Sequence, residues 1–281
     1  MFLPGLSHIT DMLGFFEGGA SMPTLTMNQN LLAIGSGFFI GVLLSLAGGG
    51  GSALAIPVMM YVIGVKNPRI AMGTTIVAIA LTALVGAVPH TIRKSIKWST
   101  ALSFTMPALV GLTAGRNVAT YLPQHLALVL LGCLMLFNAS IMISIPVRRQ
   151  QTNPGPRQTS SAIMPLGFLV GIMAGIFGIG GGFLVLPTMV ITGVPLAAAV
   201  GSSLVSVGSL GLANAIPYAL RNNIDWRIVA EYVAAGALAS ASLAKWAPRL
   251  TRGRKLIKML AVILVLASLY MIGINVHDLY T

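Results

Sequence analysis

Apolar runs close to the length that crosses a lipid bilayer recur along this chain, separated by short gaps that hold most of its charges. Only 8% of the residues are charged and 56% are hydrophobic, whereas a soluble domain carries roughly 25% charged residues. The chain lacks the polar groups that a water-facing surface requires. It therefore predicts an all-α polytopic membrane protein.

The apolar segments fall into two sets of five. The predicted helices cover about 30–47, 52–64, 68–92, 98–119 and 124–146 in the first half, and about 162–177, 182–193, 195–220, 226–245 and 256–274 in the second. The domain boundaries that follow are a surface segment at 1–29, a first repeat at 30–146, a polar linker at 147–161 and a second repeat at 162–281.

Two glycine-rich stretches interrupt the helical pattern, GVLLSLAGGGGSALAIP at 41–57 and GIFGIGGGFLVLP at 175–187. Both belong to a longer match between the two halves of the chain. Adding 130 to a residue number in the first half gives its counterpart around the glycines, and adding 128 gives it beyond them. The matched pairs include Gly48 and Gly178, Pro57 and Pro187, Pro89 and Pro217, Arg93 and Arg221, and Trp98 and Trp226. Such a match predicts an internal duplication, which is common in transporters.

The distribution of Lys and Arg predicts how the two halves are oriented. If each repeat crosses the membrane an odd number of times, twelve cations lie at one face and five at the other. The five are Lys66, Arg69, Arg116, Arg221 and Arg227. If the first two segments instead form one crossing, the split is eight to nine. The positive-inside rule favours the odd number. It predicts inverted-topology repeats, a cytoplasmic linker and two extracytoplasmic termini.

Each repeat is then expected to contain a glycine-broken helical hairpin plus three transmembrane helices. A helix break frees backbone N–H groups that hydrocarbon cannot satisfy, so it must be buried in protein or line a wet cavity. Unpaired N–H groups at a helix N-terminus attract anions. Two opposed breaks would form an anion site near the membrane midplane. Tight helix packing is the alternative role, and it suits the GxxxG pairs such as Gly37/Gly41 and Gly167/Gly171.

The predicted substrate-binding residues are small or hydroxylated groups at and beside these breaks, with one amide. They are Gly50, Gly51, Thr74, Thr75, Gly180, Gly181, Gly182, Ser202, Ser203 and Asn214. The hydroxyls could donate to an oxyanion or bond back to the preceding helical turn. The amide could bind the substrate or join helices.

Two prolines precede arginines by one turn, Pro89 before Arg93 and Pro217 before Arg221. Proline loosens the end of a helix. These four residues are predicted to form entrances for an anion, the alternative being arginines that reach the lipid interface.

Several function classes lack the residues they need. The acids and histidines lie near segment ends, so no proton relay, catalytic triad or zinc cluster is expected. The lone Cys133 can form no disulfide within the chain. The basic residues form no compact face for nucleic acid. We therefore expect no enzyme, no cofactor, no metal site and no nucleic-acid partner.

The stretch GIFGIGGGFLVLPTMVITGVPLAAAVGSSLVSV and its first-half partner resemble the TauE/SafE family of membrane permeases over about residues 30–274. The resemblance implies a bacterial inner-membrane protein that handles sulfur-containing anions, often in export. It also implies that Gly178–Gly182, Ser202, Ser203 and their first-half counterparts belong to the transport path. The first half departs from the family pattern at Gly49 and Ser52.

The predicted function is transport, by export, of a small sulfur-containing oxyanion such as sulfite, thiosulfate or an organosulfonate, by alternating access. The expected partners are that anion and the lipid bilayer. The sequence does not decide between a monomer and a homodimer. Two alternatives remain, an anion importer coupled to H⁺ or Na⁺ and a membrane scaffold that transports nothing.

Overall fold

A computed structural model describes residues 27–65, 67–119, 121, 124–144, 158–178 and 182–243, and part of 261–273. All regular structure in these ranges is helical. The helices are α1 (Met27–Ala47), α2 (Ala55–Pro57), α3 (Pro68–Ile92), α4 (Trp98–Ala119), α5 (Gln124–Ser144), α6 (Gln158–Phe177), α7 (Gly182–Ile191), α8 (Leu196–Leu220) and α9 (Trp226–Leu243). A 3₁₀ helix (Gly48–Leu54) precedes α2 and a π-helix (Val58–Val62) follows it.

The predicted helix ends agree with the structure for α3 and α4 and differ for α6. Helix α6 begins at Gln158, so four residues assigned to the linker are helical. The first turn of a helix needs backbone geometry rather than apolar side chains, which is why hydropathy alone places the start too late. The predicted surface segment up to residue 26 and most of the predicted linker lie outside the described residues.

Three of the described helices are long and apolar enough to cross a membrane. These stretches are Gln29–Leu46, Arg69–Ile92 and Leu196–Leu220. Large apolar side chains on the outside of the molecule, such as Leu31, Phe38 and Val110, suit contact with lipid. Trp98 and Trp226 are exposed at the starts of α4 and α9, where the aromatic belt of a membrane protein is expected.

Two pairs of helices, α1 with α9 and α4 with α6, pack through glycine. In the first pair Gly37 lies against the backbone of Tyr232 and Gly41 against Gly236, and further along Ser45 Oγ donates to Ser240 Oγ at 3.0 Å. The residue numbers rise together, so the two helices run parallel.

The same arrangement joins α4 to α6. Gly167, Gly171 and Gly175 lie against the backbones of Phe104, Ala108 and Leu112 in that order. A Cβ atom at any of these glycines would overlap the facing backbone. The GxxxG pairs therefore serve close helix contact.

Helices α3 and α8 run antiparallel through the centre. Gly73, near the start of α3, contacts Tyr218 at the end of α8. Gly201, near the start of α8, contacts His90 at the end of α3. Both helices have 25 residues, and most of their side chains are buried.

Proline leaves one carbonyl of α7 for another helix to bind. Pro187 has no N–H, so the carbonyl four residues earlier, at Phe183, loses its helical partner. Asn138 of α5 donates to that carbonyl from Nδ2 at 2.6 Å. Pro187 itself lies inside a regular helix. The counterpart Pro57 is followed by the π-helix.

Gly171→Val should destabilise the fold by about 1–3 kcal/mol or more, because overpacking forces a tight interface apart. Gly35→Val is the matched control, since a Cβ at Gly35 of α1 meets nothing within 4 Å. Thermal unfolding of the purified variants in detergent measures the difference. Equal melting temperatures for both variants would contradict the packing account.

Candidate anion-binding site

Both glycine-rich stretches turn the chain out of a helix at a glycine with positive φ. Helix α1 ends at Ala47 and Gly48 follows with φ +55°. Helix α6 ends at Phe177 and Gly178 follows with φ +66°. This backbone conformation costs little only for glycine. We call residues 48–51 the first glycine segment and 178–182 the second.

The two glycine segments touch at the middle of the molecule. A Cβ at Gly49 would overlap the carbonyl oxygen of Gly182, and one at Gly182 would overlap Ser52. Val207, near the midpoint of α8, packs against both glycines. Ser52 Oγ also donates to the carbonyl of Gly49 at 2.8 Å. Glycine is required here because two backbones meet without room for a side chain.

Ser203 binds the first glycine segment. The backbone N–H of Gly49 donates to Ser203 Oγ at 3.1 Å, and that hydroxyl donates to the Val200 carbonyl at 2.9 Å. Thr75, its counterpart under the offset of 128, is buried at 1% exposure, and its hydroxyl makes no hydrogen bond within the described part of the chain. The two matched hydroxyls therefore differ: Ser203 is bonded to a glycine segment, and Thr75 has no partner among the residues that the structure describes.

Thr74 and Ser202 hold helix starts in the opposite half of the chain. The N–H of Asp225, just before α9, donates to Thr74 Oγ1 at 2.9 Å. The N–H of Lys97, just before α4, donates to Ser202 Oγ at 3.1 Å. Both N–H groups would be unpaired at a helix N-terminus without this contact. The sequence indicates an anion or the helix's own backbone as the partner of these hydroxyls, and this third role is a finding of the structure.

A cavity of about 340 Å³ lies beside the second glycine segment. This volume is within the range of ligand sites in proteins, ~300–1,000 Å³. Gly178 borders it, and its polar lining is Arg69, Arg116, Asn214, Tyr218, Arg221 and Asn223. Helices α3, α4 and α8, together with the turn that follows α8, contribute these groups. The cavity brings together arginines that are far apart in the sequence.

Arg116 is fixed in this cavity by the backbone and side chains of α8. Its Nε donates to Asn214 Oδ1 at 3.1 Å, and its Nη2 donates to the carbonyl of Ala213. That carbonyl is free because Pro217, four residues later, has no N–H to offer it. Asn214 is held in turn by a long contact of 3.5 Å from its Nδ2 to the Ala174 carbonyl. The guanidinium keeps further N–H groups for a ligand.

The cavity is strongly positive. No Asp or Glu is among the described residues that line it. Two acids fall in the described part of the chain, and both are engaged elsewhere. Asp225 caps α9 by accepting from the N–H groups of Arg227 and Ile228 at 3.0 and 3.2 Å, and Glu231 lies 3.5 Å from Arg227. The three arginines therefore keep a net positive charge where a ligand can reach them.

The structure gathers some of the predicted site residues and separates others. Asn214, Pro217 and Arg221 line the cavity. Pro89 and Arg93 lie at the far end of α3, ~30 and ~36 Å along that helix from Arg69. Gly50 and Gly51 belong to the 3₁₀ helix, Gly182 begins α7, and Gly180 and Gly181 lie outside the described residues. Anion binding by these groups stays a prediction.

Sequence analysis missed four polar residues of the cavity, Arg69, Arg116, Tyr218 and Asn223. A signal was available in the charge count. Three of the five cations assigned to one face, Arg69, Arg116 and Arg221, line this cavity. The charge count alone uses Arg69 and Arg116 only as orientation signals, whereas Arg221 is also predicted to form an entrance.

The chain is similar in sequence to known proteins that are named probable membrane transporters. A probable membrane transporter protein of Xylella fastidiosa is 32% identical over 256 residues, which are 88% of this chain and 97% of the relative. The probable membrane transporter protein YdhB of Bacillus subtilis is 26% identical over 194 residues, which are 67% of this chain and 78% of the relative. No solved structure matches the chain.

The family comparison covers most of the chain. The model described as "Sulfite exporter TauE/SafE" matches residues 33–271, a range that includes both glycine segments and every polar residue of the cavity. The resemblance noted from the glycine motifs is thereby confirmed. With its apolar helices, the chain is a multi-pass membrane protein, and it belongs to the TauE/SafE family of membrane transporters.

Proposed function

We propose that this protein moves a small sulfur-containing oxyanion, such as sulfite, thiosulfate or an organosulfonate, across the bacterial inner membrane. The observation that carries the proposal is the cavity with three arginines and no described carboxylate. Guanidinium groups bind oxyanions through charge-assisted, often bidentate hydrogen bonds. The membrane holds few other groups that could neutralise these charges, so an anionic ligand suits them best.

The repeats are proposed to be inverted. Exchanging the halves by the offsets of 130 and 128 turns the Gly37–Tyr232 contact into Gly167–Phe104. The same exchange turns the bond at Thr74 into the bond at Ser202. The antiparallel pairing of α3 and α8, which are counterparts, is what a two-fold axis in the membrane plane produces.

Alternating access is supported by the difference between the two glycine segments. The first is bonded to Ser203, whereas Gly178 of the second borders the cavity, and Thr75 has no hydrogen-bond partner among the described residues. Exchange of these states between the repeats would close the cavity and open its counterpart on the other side. The cavity arginines belong to the cations predicted to be extracytoplasmic, so the structure corresponds to the outward-open state in this proposal.

Export is the proposed direction. An anion that leaves a cell with a negative interior gains ~2.3 kcal/mol per charge per 100 mV, so no proton relay is needed. Import is the second candidate, and one observation favours it. Arginines in an outward-open cavity would concentrate anions from outside the cell.

Proteoliposomes with an imposed potential and no cation gradient should release sulfite or thiosulfate. Arg116→Gln should slow this flux at least tenfold, because loss of a charge-assisted site typically costs about 1.5–3 kcal/mol. Arg227→Gln is the matched control, since Arg227 pairs with Glu231 and does not line the cavity. Flux that requires a cation gradient and ignores potential would favour the importer. No flux of any sulfur oxyanion would refute the transport proposal.

The variants Ser203→Ala and Thr75→Val should differ in thermal stability, but both should transport the anion more slowly than the wild type. Ser203→Ala leaves the N–H of Gly49 without its acceptor, which costs about 1–3 kcal/mol. Thr75→Val removes a buried hydroxyl that has no partner in the described ranges, so it should not lower the melting temperature. Both should slow flux if Thr75 binds the second glycine segment in the opposite state. Wild-type flux in Thr75→Val would contradict that role.

A further inference from the structure

The three arginines of the cavity differ in how they are held. Arg116 is bonded to Asn214 and to the Ala213 carbonyl, so its position is fixed before any ligand arrives. The side chains of Arg69 and Arg221 make no hydrogen bond or ion pair with the described part of the chain, and both residues are exposed. One fixed cation and two free ones therefore surround the same space.

The fixed arginine is itself a consequence of local sequence. Gly175 has no side chain, and this lets α6 lie against the backbone at Arg116. Pro217 supplies the carbonyl of Ala213 as an acceptor by lacking its own N–H. Asn214 supplies a neutral oxygen rather than a carboxylate, so it orients the guanidinium without cancelling its charge. An aspartate at this position would give the same geometry and remove most of the attraction for an anion.

Three positive charges require more than one negative charge to balance them. A singly charged ligand would leave two arginines uncompensated, and a doubly charged ligand would leave one. Coulomb energy is proportional to ligand charge, so each arginine attracts a dianion twice as strongly as a monoanion at the same distance. Affinities depend exponentially on energy. If the loss of one arginine lowers the affinity for a monoanion by some factor, it should therefore lower the affinity for a dianion by the square of that factor.

We infer that the cavity of Arg69, Arg116 and Arg221 selects doubly charged oxyanions over singly charged ones of the same size, with Arg116 as the fixed anchor. The inference rests on the proposed function and narrows it. It assigns the site to ligands such as sulfite dianion, thiosulfate or a sulfonate that carries a second negative group. Chloride, singly charged sulfonates and zwitterionic aminosulfonates bind weakly.

Sulfate and methanesulfonate test this inference directly. Both are compact tetrahedral groups at sulfur, and they differ by one charge because a methyl group replaces one oxygen. Calorimetry on the purified full-length protein at constant ionic strength should give at least tenfold tighter binding of sulfate. Arg69→Gln and Arg221→Gln should each lower the affinity for sulfate about tenfold and the affinity for methanesulfonate about threefold. These variants break no hydrogen bond in the described structure, so they are expected to fold.

Arg227→Gln is again the control, and it should leave both affinities unchanged. Equal affinity of the wild type for the two anions would overturn the inference and leave the proposed function intact. The inference would also be overturned if Arg69→Gln and Arg221→Gln lowered the affinities for the two anions by the same factor. Failure of both anions to bind the wild type would refute this inference and the anion site of the proposed function together.

Discussion

The arrangement around the cavity depends on one interaction, the attachment of Arg116 to α8. A guanidinium in a largely apolar helix is costly unless its N–H groups find acceptors. Here a side-chain amide and a carbonyl freed by Pro217 supply them. The interaction joins α4 to α8 and also places a positive charge beside the second glycine segment. The same two hydrogen bonds thus offset the cost of a half-buried arginine and hold its charge in place as an anion anchor.

Glycine makes this geometry reachable in two ways. Along α1, α4 and α6 it removes side chains so that parallel helices touch backbone to backbone, as at Gly171 and Ala108. At Gly48 and Gly178 it permits positive φ and turns the chain out of a helix. The two uses bring both glycine segments to the centre of the molecule, where Gly49 meets Gly182. A bilayer tolerates irregular backbone only in such a buried place.

Much of the helical framework could be predicted from sequence, because hydropathy and proline positions mark helix ends. The bounds 68–92 and 98–119 match the structure, and the internal match identified counterparts that later proved to make equivalent contacts. The cavity could not be predicted in this way. Arg69, Arg116 and Arg221 are separated by many residues, and only packing of α3, α4 and α8 shows that they share a space. One acceptor of Arg116, the Ala213 carbonyl, is available because Pro217 has no N–H, and a hydropathy pattern does not show this.

The most direct test of the account is the position of a bound dianion. Selenate has the charge and shape of sulfate, and selenium gives an anomalous X-ray signal. In crystals grown with selenate, the account predicts an anomalous peak within ~4 Å of the guanidinium nitrogens of Arg116, the distance set by a charge-assisted hydrogen bond to an oxyanion. A selenate peak elsewhere in the protein, with none among Arg69, Arg116 and Arg221, would contradict the account.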